Sequence, residues 1–74
     1  MERYRNLGRD SGIDAYEIGS DFIKVRFKDR KVYTYTYESA GQYHIEKMKS
    51  LAQRGSGLNQ YINLHVKNKY ASKH

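Results

Sequence analysis

Hydrophobic and polar residues alternate along much of the first half of the chain, and this pattern predicts β-strands. Within residues 22–28, three apolar side chains fall on one face and three basic side chains on the other, as in an antiparallel strand with one buried face. Residues 32–37 are all β-branched or aromatic, and such residues suit a pleated surface. Residues 13–18 alternate less regularly, and we interpret them as the first strand of the same sheet.

After residue 38 the apolar residues recur at helical spacing, which predicts two helices. The first stripe consists of Ile45, Met48, Leu51 and Ala52. The second stripe consists of Leu58, Tyr61, Ile62, His65 and Val66. Ser39 and Gln42 have the spacing of a capping box at the first helix, and Ser56 can cap the second. Gly55 suits the left-handed residue that follows a helix end.

The order of these elements predicts an α+β fold, because a run of strands precedes a run of helices. We expect a three-stranded antiparallel meander followed by two helices that pack on one face of the sheet. The length of 74 residues allows one domain, which we place at residues 12–70. Residues 1–11 are expected to form a loose lead-in, and residues 71–74 a frayed C-terminus.

The turn between the second and third strands can close in two ways. A two-residue loop at 29–30 places Tyr33 and Tyr35 on the basic face of the sheet, whereas a three-residue loop at 28–30 places them in the core. Arg30 suits neither turn well, because both favour glycine at its position. A domain this small cannot easily leave three tyrosines out of its core, so we favour the three-residue loop. In either register the basic side chains of the second strand lie on the open face.

The basic residues are unevenly distributed along the chain. Residues 47–74 contain six Lys or Arg and no Asp or Glu, so they carry the whole formal charge of +6. Clustered basic residues are typical of proteins that bind nucleic acid, although lysine also keeps helices soluble.

The sequence lacks cysteine, which excludes disulfides and thiolate metal sites. No apolar run approaches the roughly 18–20 residues that span a bilayer, and Met1–Arg5 is not followed by an apolar stretch. We therefore expect no membrane span, no secretory signal and a cytoplasmic location.

Three groups of residues are candidates for nucleic-acid contacts. The basic side chains of the second strand repeat every two residues, about 6.6–6.8 Å apart, which approximates the spacing of phosphates along an extended nucleic-acid strand. The alternative is that their charge only protects an exposed strand from edge pairing. The tyrosines of the third strand either stack on bases or pack in the core. The third group consists of basic residues in the helical half, Arg54, Lys67 and Lys69. The candidate contacts are therefore Lys24, Arg26, Lys28, Tyr33, Tyr35, Tyr37, Arg54, Lys67 and Lys69.

The segment between the two predicted helices is a candidate anion site. It consists of Arg54, Gly55, Ser56 and Gly57. Free backbone N–H groups at a helix start attract anions, while the alternative is a joint between helices that needs glycine. His44 and His65 are 21 residues apart in different predicted helices, so we predict no metal site, no cofactor, and a partly buried His65 on the second stripe.

Over residues 11–70 the chain resembles a KTSC domain, a short domain found alone in bacterial proteins and at the carboxyl end of some lysyl-tRNA synthetases. The resemblance lies in the Tyr-x-Tyr element at Tyr33 and Tyr35, repeated at Tyr35 and Tyr37, in the strand before it, and in the Gly-x-x-Leu-Asn-x-x-Ile segment that begins at Gly55. The chain departs from the family at Arg30, where glycine is usual. The resemblance implies a bacterial protein with an RNA-binding role.

The first hypothesis is therefore a small, non-enzymatic binding module for RNA or single-stranded nucleic acid. The alternative is a protein-interaction or self-associating module that uses the open sheet face. A third hypothesis is a small metal-independent ribonuclease, in which His44 or His65 would act with Lys or Tyr as acid and base.

Overall fold

The structure, a computed structural model, describes residues 1–7 and 12–74 of the chain. The strands are β1 Glu2–Arg3, β2 Ile13–Ile18, β3 Phe22–Phe27, β4 Val32–Thr36 and β5 Ser72–Lys73. The helices are α1 Tyr37–Ala40, α2 Gln42–Arg54 and α3 Leu58–Tyr61, which continues into a π-helical segment, Ile62–Val66. The strands form one antiparallel sheet in the order β1-β2-β3-β4-β5. The α+β class is thus confirmed, with the predicted meander at the centre of a wider sheet.

Both ends of the chain differ from the expected loose termini. β1 pairs with β2, and the next residue, Tyr4, is only 3% exposed. At the other end β5 pairs with β4, and the N–H of His74 donates to the carbonyl of Val32 at 2.7 Å. The prediction of a frayed C-terminus is therefore wrong, and so is that of a loose lead-in for residues 2–4. Backbone pairing needs no apolar pattern, which is why these polar ends gave no strand signal. Residues 8–11 of the predicted lead-in lie outside the described residues.

The register between β3 and β4 is the one that the core requirement favoured. Val25 lies opposite Tyr33 and Ile23 lies opposite Tyr35, so the three-residue loop is confirmed. Arg30 takes the left-handed position of that loop with φ of 71°. Its N–H donates to the carbonyl of Phe27 at 2.8 Å.

The start of the helical half differs from the predicted capping pattern. Thr36 caps α1, and its hydroxyl and that of Ser39 each accept the other's backbone N–H at 3.0 Å. The predicted box of Ser39 and Gln42 is wrong, because Gly41, with φ of 96°, separates α1 from α2. Gly55 ends α2 in the left-handed conformation as predicted.

The core lies between one sheet face and the helices. All four residues of the predicted first stripe are buried. In the second stripe Leu58, Ile62 and Val66 are buried, but His65 is exposed, so its predicted partial burial is wrong. A π-helical segment turns more slowly than an α-helix. The buried face is therefore filled by residues four apart, namely Leu58, Ile62 and Val66. His65 does not belong to that row.

We predict that Arg30→Gly stabilises the fold. A left-handed conformation costs a residue with a Cβ about 1–2 kcal/mol, while glycine costs about 0.5–1 kcal/mol in chain entropy. The free energy of unfolding, measured by urea denaturation, should rise by up to about 1 kcal/mol. Lys28→Gly, in the same loop at an ordinary φ, should lower it instead. Equal effects of the two substitutions would contradict the strain at residue 30.

Candidate functional site

On the open face of the sheet, the central basic residue of β3 is paired with an acid. The Nη2 of Arg26 lies 2.9 Å from Oδ2 of Asp14, and its Nε donates to the same oxygen. Lys24 lies opposite Glu17 on the neighbouring strand. Lys28 follows the last residue of β3 and is exposed in the loop. The three basic residues therefore do not form a continuous cationic row. The prediction that they contact successive phosphates of an extended nucleic-acid strand assumed such a row.

The tyrosines of β4 lie on the core side of the sheet. Tyr35 is 1% exposed, so its ring cannot receive a base, and its predicted stacking role is wrong. Burial, reinforced by Tyr33 and Tyr70, raises the pKa of Tyr35 far above its usual value. Tyr33 is partly buried at the edge of the core. Its ring makes edge-to-face contacts with Phe27, at 5.3 Å between centroids, and with Tyr70, at 5.0 Å.

These rings form one side of a groove of about 560 Å³. We call it the aromatic groove and define it by Phe27, Tyr33, Tyr70, Lys28, Lys67 and Lys73. The lysines come from the β3–β4 loop, from the residue after the π-helical segment and from β5, and the amides of Asn63 and Asn68 also line the groove. Within residues 1–7 and 12–74, Asp29 is the acidic residue that lines the groove. The groove thus combines aromatic rings, amides and a net positive charge.

The aromatic groove contains only part of the predicted contact set. Tyr33, Lys28, Lys67 and the buried Tyr35 line it, whereas Lys69, Arg54 and the basic residues of β3 do not. Sequence reasoning missed Tyr70 and Lys73, because both were assigned to the frayed end or its border. Lys73 lies with its Nζ 5.5 Å from the centre of the Tyr33 ring, a cation–π distance. The Tyr-x-Tyr motif and the lysine-rich tail were the sequence features from which these groove residues could have been predicted.

Tyr37 is occupied by contacts within the fold. It begins α1 rather than ending β4, and its hydroxyl donates to Oε2 of Glu46 at 2.6 Å. Lys49 donates to the same carboxylate oxygen at 2.7 Å, and its Nζ lies 5.6 Å from the centre of the Tyr37 ring. The hydrogen bonds from Lys49 and then from Tyr37 lower the pKa of Glu46. Tyr37 therefore links α1 to α2 and lies outside the aromatic groove.

The predicted anion segment forms a joint between helices. The N–H of Gly55 donates to carbonyls of α2, and the N–H of Leu58 donates to the hydroxyl of Tyr4 at 3.3 Å. The guanidinium of Arg5 donates to the carbonyls of Gln53 and Arg54. Gly57, not Ser56, precedes α3 as its cap. The amides of Gly55 and Leu58 are thus satisfied within the fold, and residues 54–57 form the glycine-containing helix joint that the sequence left open as the alternative to a phosphate site.

A second group of side chains, which sequence reasoning did not assemble, lies on the helical layer. The Nδ1 of His44 is 2.6 Å from the hydroxyl of Tyr61, and the ring centroids of His44 and His65 are 5.7 Å apart. Tyr43 lies against His44 and is 75% exposed. We call these four residues the imidazole cluster. Burial, and secondarily Tyr43, raises the pKa of Tyr61.

Comparisons of the chain with protein-family models, with curated proteins and with solved structures find no match. Across residues 1–7 and 12–74, none of the helices has the length and apolar character needed to cross a membrane.

The raised pKa of Tyr35 predicts a loss of stability in alkali. Unfolded Tyr35 ionises near pH 10, but the folded residue holds its proton. The stabilisation that the protonated Tyr35 gives the folded state is therefore complete below pH 10, and it is lost as the pH rises above 10. Urea denaturation between pH 9 and pH 11 should show a falling free energy of unfolding, with a shallower fall for Tyr35→Phe. The fall should be unchanged for Tyr43→Phe, whose ring is exposed. An unaltered fall in Tyr35→Phe would contradict the assignment.

Proposed function

We propose that the protein binds RNA or another single-stranded nucleic acid in the aromatic groove. The observation that carries this proposal is the meeting of Phe27, Tyr33 and Tyr70 with three lysines around one groove. Proteins that bind single strands combine a positively charged channel with aromatic side chains on which bases stack. The geometry thus supports the first function that the sequence favoured, at a different surface from the open sheet face.

The size of the groove fits part of a strand. A volume of about 560 Å³ falls within the range of pockets that hold small organic ligands, about 300–1,000 Å³. One or two nucleotides would enter the groove, and the flanking phosphates would contact the lysines at its rim. A base must be unpaired to reach recessed rings, so a single strand is the better ligand than a duplex.

The polar groups of the groove suit backbone contacts together with a modest reading of the bases. Lys28, Lys67 and Lys73 would contact phosphates, which fix position and carry no sequence information. The side-chain amides of Asn63 and Asn68 can both donate and accept hydrogen bonds, as base edges require. The resemblance to KTSC domains, which implies an RNA-binding role, supports the same proposal.

Lysine substitutions test the proposal through the salt dependence of binding. We expect a fluorescently labelled mixed-sequence RNA to bind with a log–log salt slope near −2, since each phosphate contact on a single strand contributes about −0.7. The double variant Lys67→Ala/Lys73→Ala should reduce the magnitude of that slope by about 1.4. Lys47→Ala, which removes an exposed charge of α2 outside the groove, is the matched control for the loss of a lysine. Lys24→Ala removes a charge of the open sheet face, so it should leave the salt slope unchanged if the nucleic acid binds in the groove.

A tyrosine substitution tests the stacking part of the proposal. Tyr70→Leu should weaken binding by about 1–3 kcal/mol, the worth of one stacked base, with little change in the salt slope. Tyr43→Leu, outside the groove, is its control.

Absence of binding at low salt would contradict the proposed function. A loss confined to Lys24→Ala would instead move the site to the open face. Self-association that survives nuclease treatment and high salt in size-exclusion chromatography would favour the alternative protein-interaction module.

A further inference from the structure

Two histidines that are distant in the sequence become neighbours on the helical layer. His44 lies in α2 and His65 in the π-helical segment, and their rings are inclined by 27° with centroids 5.7 Å apart. We propose that this pair chelates a divalent transition metal ion that prefers imidazole, namely Cu²⁺, Ni²⁺ or Zn²⁺. The proposal is independent of nucleic-acid binding, because neither histidine lines the aromatic groove.

The separation of the rings is close to that of two imidazoles that share an ion. With metal–nitrogen bonds of about 2.0–2.1 Å at tetrahedral angles, the two ring centroids lie about 5 Å apart. The observed 5.7 Å needs only a small closure. His65 is exposed, so an ion can reach its ring from solvent.

The hydroxyl of Tyr61 provides the outer hydrogen bond that a metal-binding histidine normally has. It lies 2.6 Å from Nδ1 of His44, and metal-bound histidines usually donate their second ring N–H to an oxygen. In the tautomer that donates Nδ1–H to Tyr61, the lone pair of Nε2 is available to the ion. Binding would select this tautomer. Tyr61 also contacts the ring of His65, at 4.5 Å between centroids, and so holds both rings.

The ligand set determines which ions bind and how tightly. In the part of the chain that the structure describes, no three His, Cys, Asp or Glu side chains converge as a metal-ligating group. The pair therefore supplies two ligands and leaves the other positions to water. Two nitrogens favour Cu²⁺ over Ni²⁺ and Zn²⁺ by the usual order of affinities. Mg²⁺ and Ca²⁺ require oxygen ligands and should not bind.

The experiment is a calorimetric titration of the whole chain with NiCl₂ or ZnCl₂ alone, with MgCl₂ and CaCl₂ as negative controls. We expect one ion per chain and no change in molecular mass. His44→Ala and His65→Ala should each weaken binding at least 10-fold. Tyr61→Phe, which keeps the ring and removes the hydroxyl, should weaken it about 10-fold. His74→Ala, which removes the histidine outside the cluster, should leave binding unchanged.

Two results would overturn the proposal. The first is unchanged affinity in His44→Ala or His65→Ala, or a loss of binding in His74→Ala. The second is one ion per two chains with a doubling of mass, because it would mean that the ion bridges two copies. Should a variant fold poorly, imidazole NMR signals of the unsubstituted protein give the same answer. The resonances of His44 and His65 should shift on addition of Zn²⁺ while those of His74 do not, and the reverse pattern would contradict the chelate.

Discussion

The pairing of β3 with β4 determines which side chains of these strands face the core and which face solvent. Val25 lies opposite Tyr33, and the register depends on a three-residue loop in which Arg30 adopts a positive φ. A slip by one residue would turn Tyr33 and Tyr35 to the open face and bring threonines into the core. With the observed register, Tyr35 fills the centre of the core, and Tyr33 is left at its edge to form one wall of the aromatic groove.

The groove depends equally on the return of the C-terminal residues to the sheet. Tyr70 packs edge-to-face on Tyr33, and β5 then pairs with β4. This pairing places Lys73 opposite Tyr33 and brings positive charge from the tail to the edge of the sheet, next to the aromatic rings. The excess positive charge of residues 47–74 therefore has a structural role. This part of the chain supplies two of the three lysines of the groove, and the β3–β4 loop supplies the third.

The central elements could be predicted from the sequence, because each buries one face with a regular period. β2, β3, β4 and the buried stripe of α2 all have such a period, and even the weak alternation of β2 has a physical cause in a bulge between Ile13 and Ala15. β1 and β5 could not be predicted, since each has two residues and is held by backbone hydrogen bonds. The groove and the imidazole cluster were missed for a related reason. The members of each group, such as His44 and His65, meet only through tertiary packing. No local sequence pattern indicates that they are neighbours.

The π-helical segment connects the two candidate sites. Ile62 and Val66 anchor it in the core, and the row spaced by four residues leaves a flank exposed on each side. Asn63 and Lys67 line the aromatic groove from this part of the chain, while Tyr61 and His65 belong to the imidazole cluster. π-helical turns carry a cost in hydrogen-bond geometry and often occur at functional sites. Here the wider turn has a definite effect, because it directs His65 out of the buried stripe and towards His44. The same irregularity that defeated the helical-stripe prediction therefore creates the pair of neighbouring imidazoles.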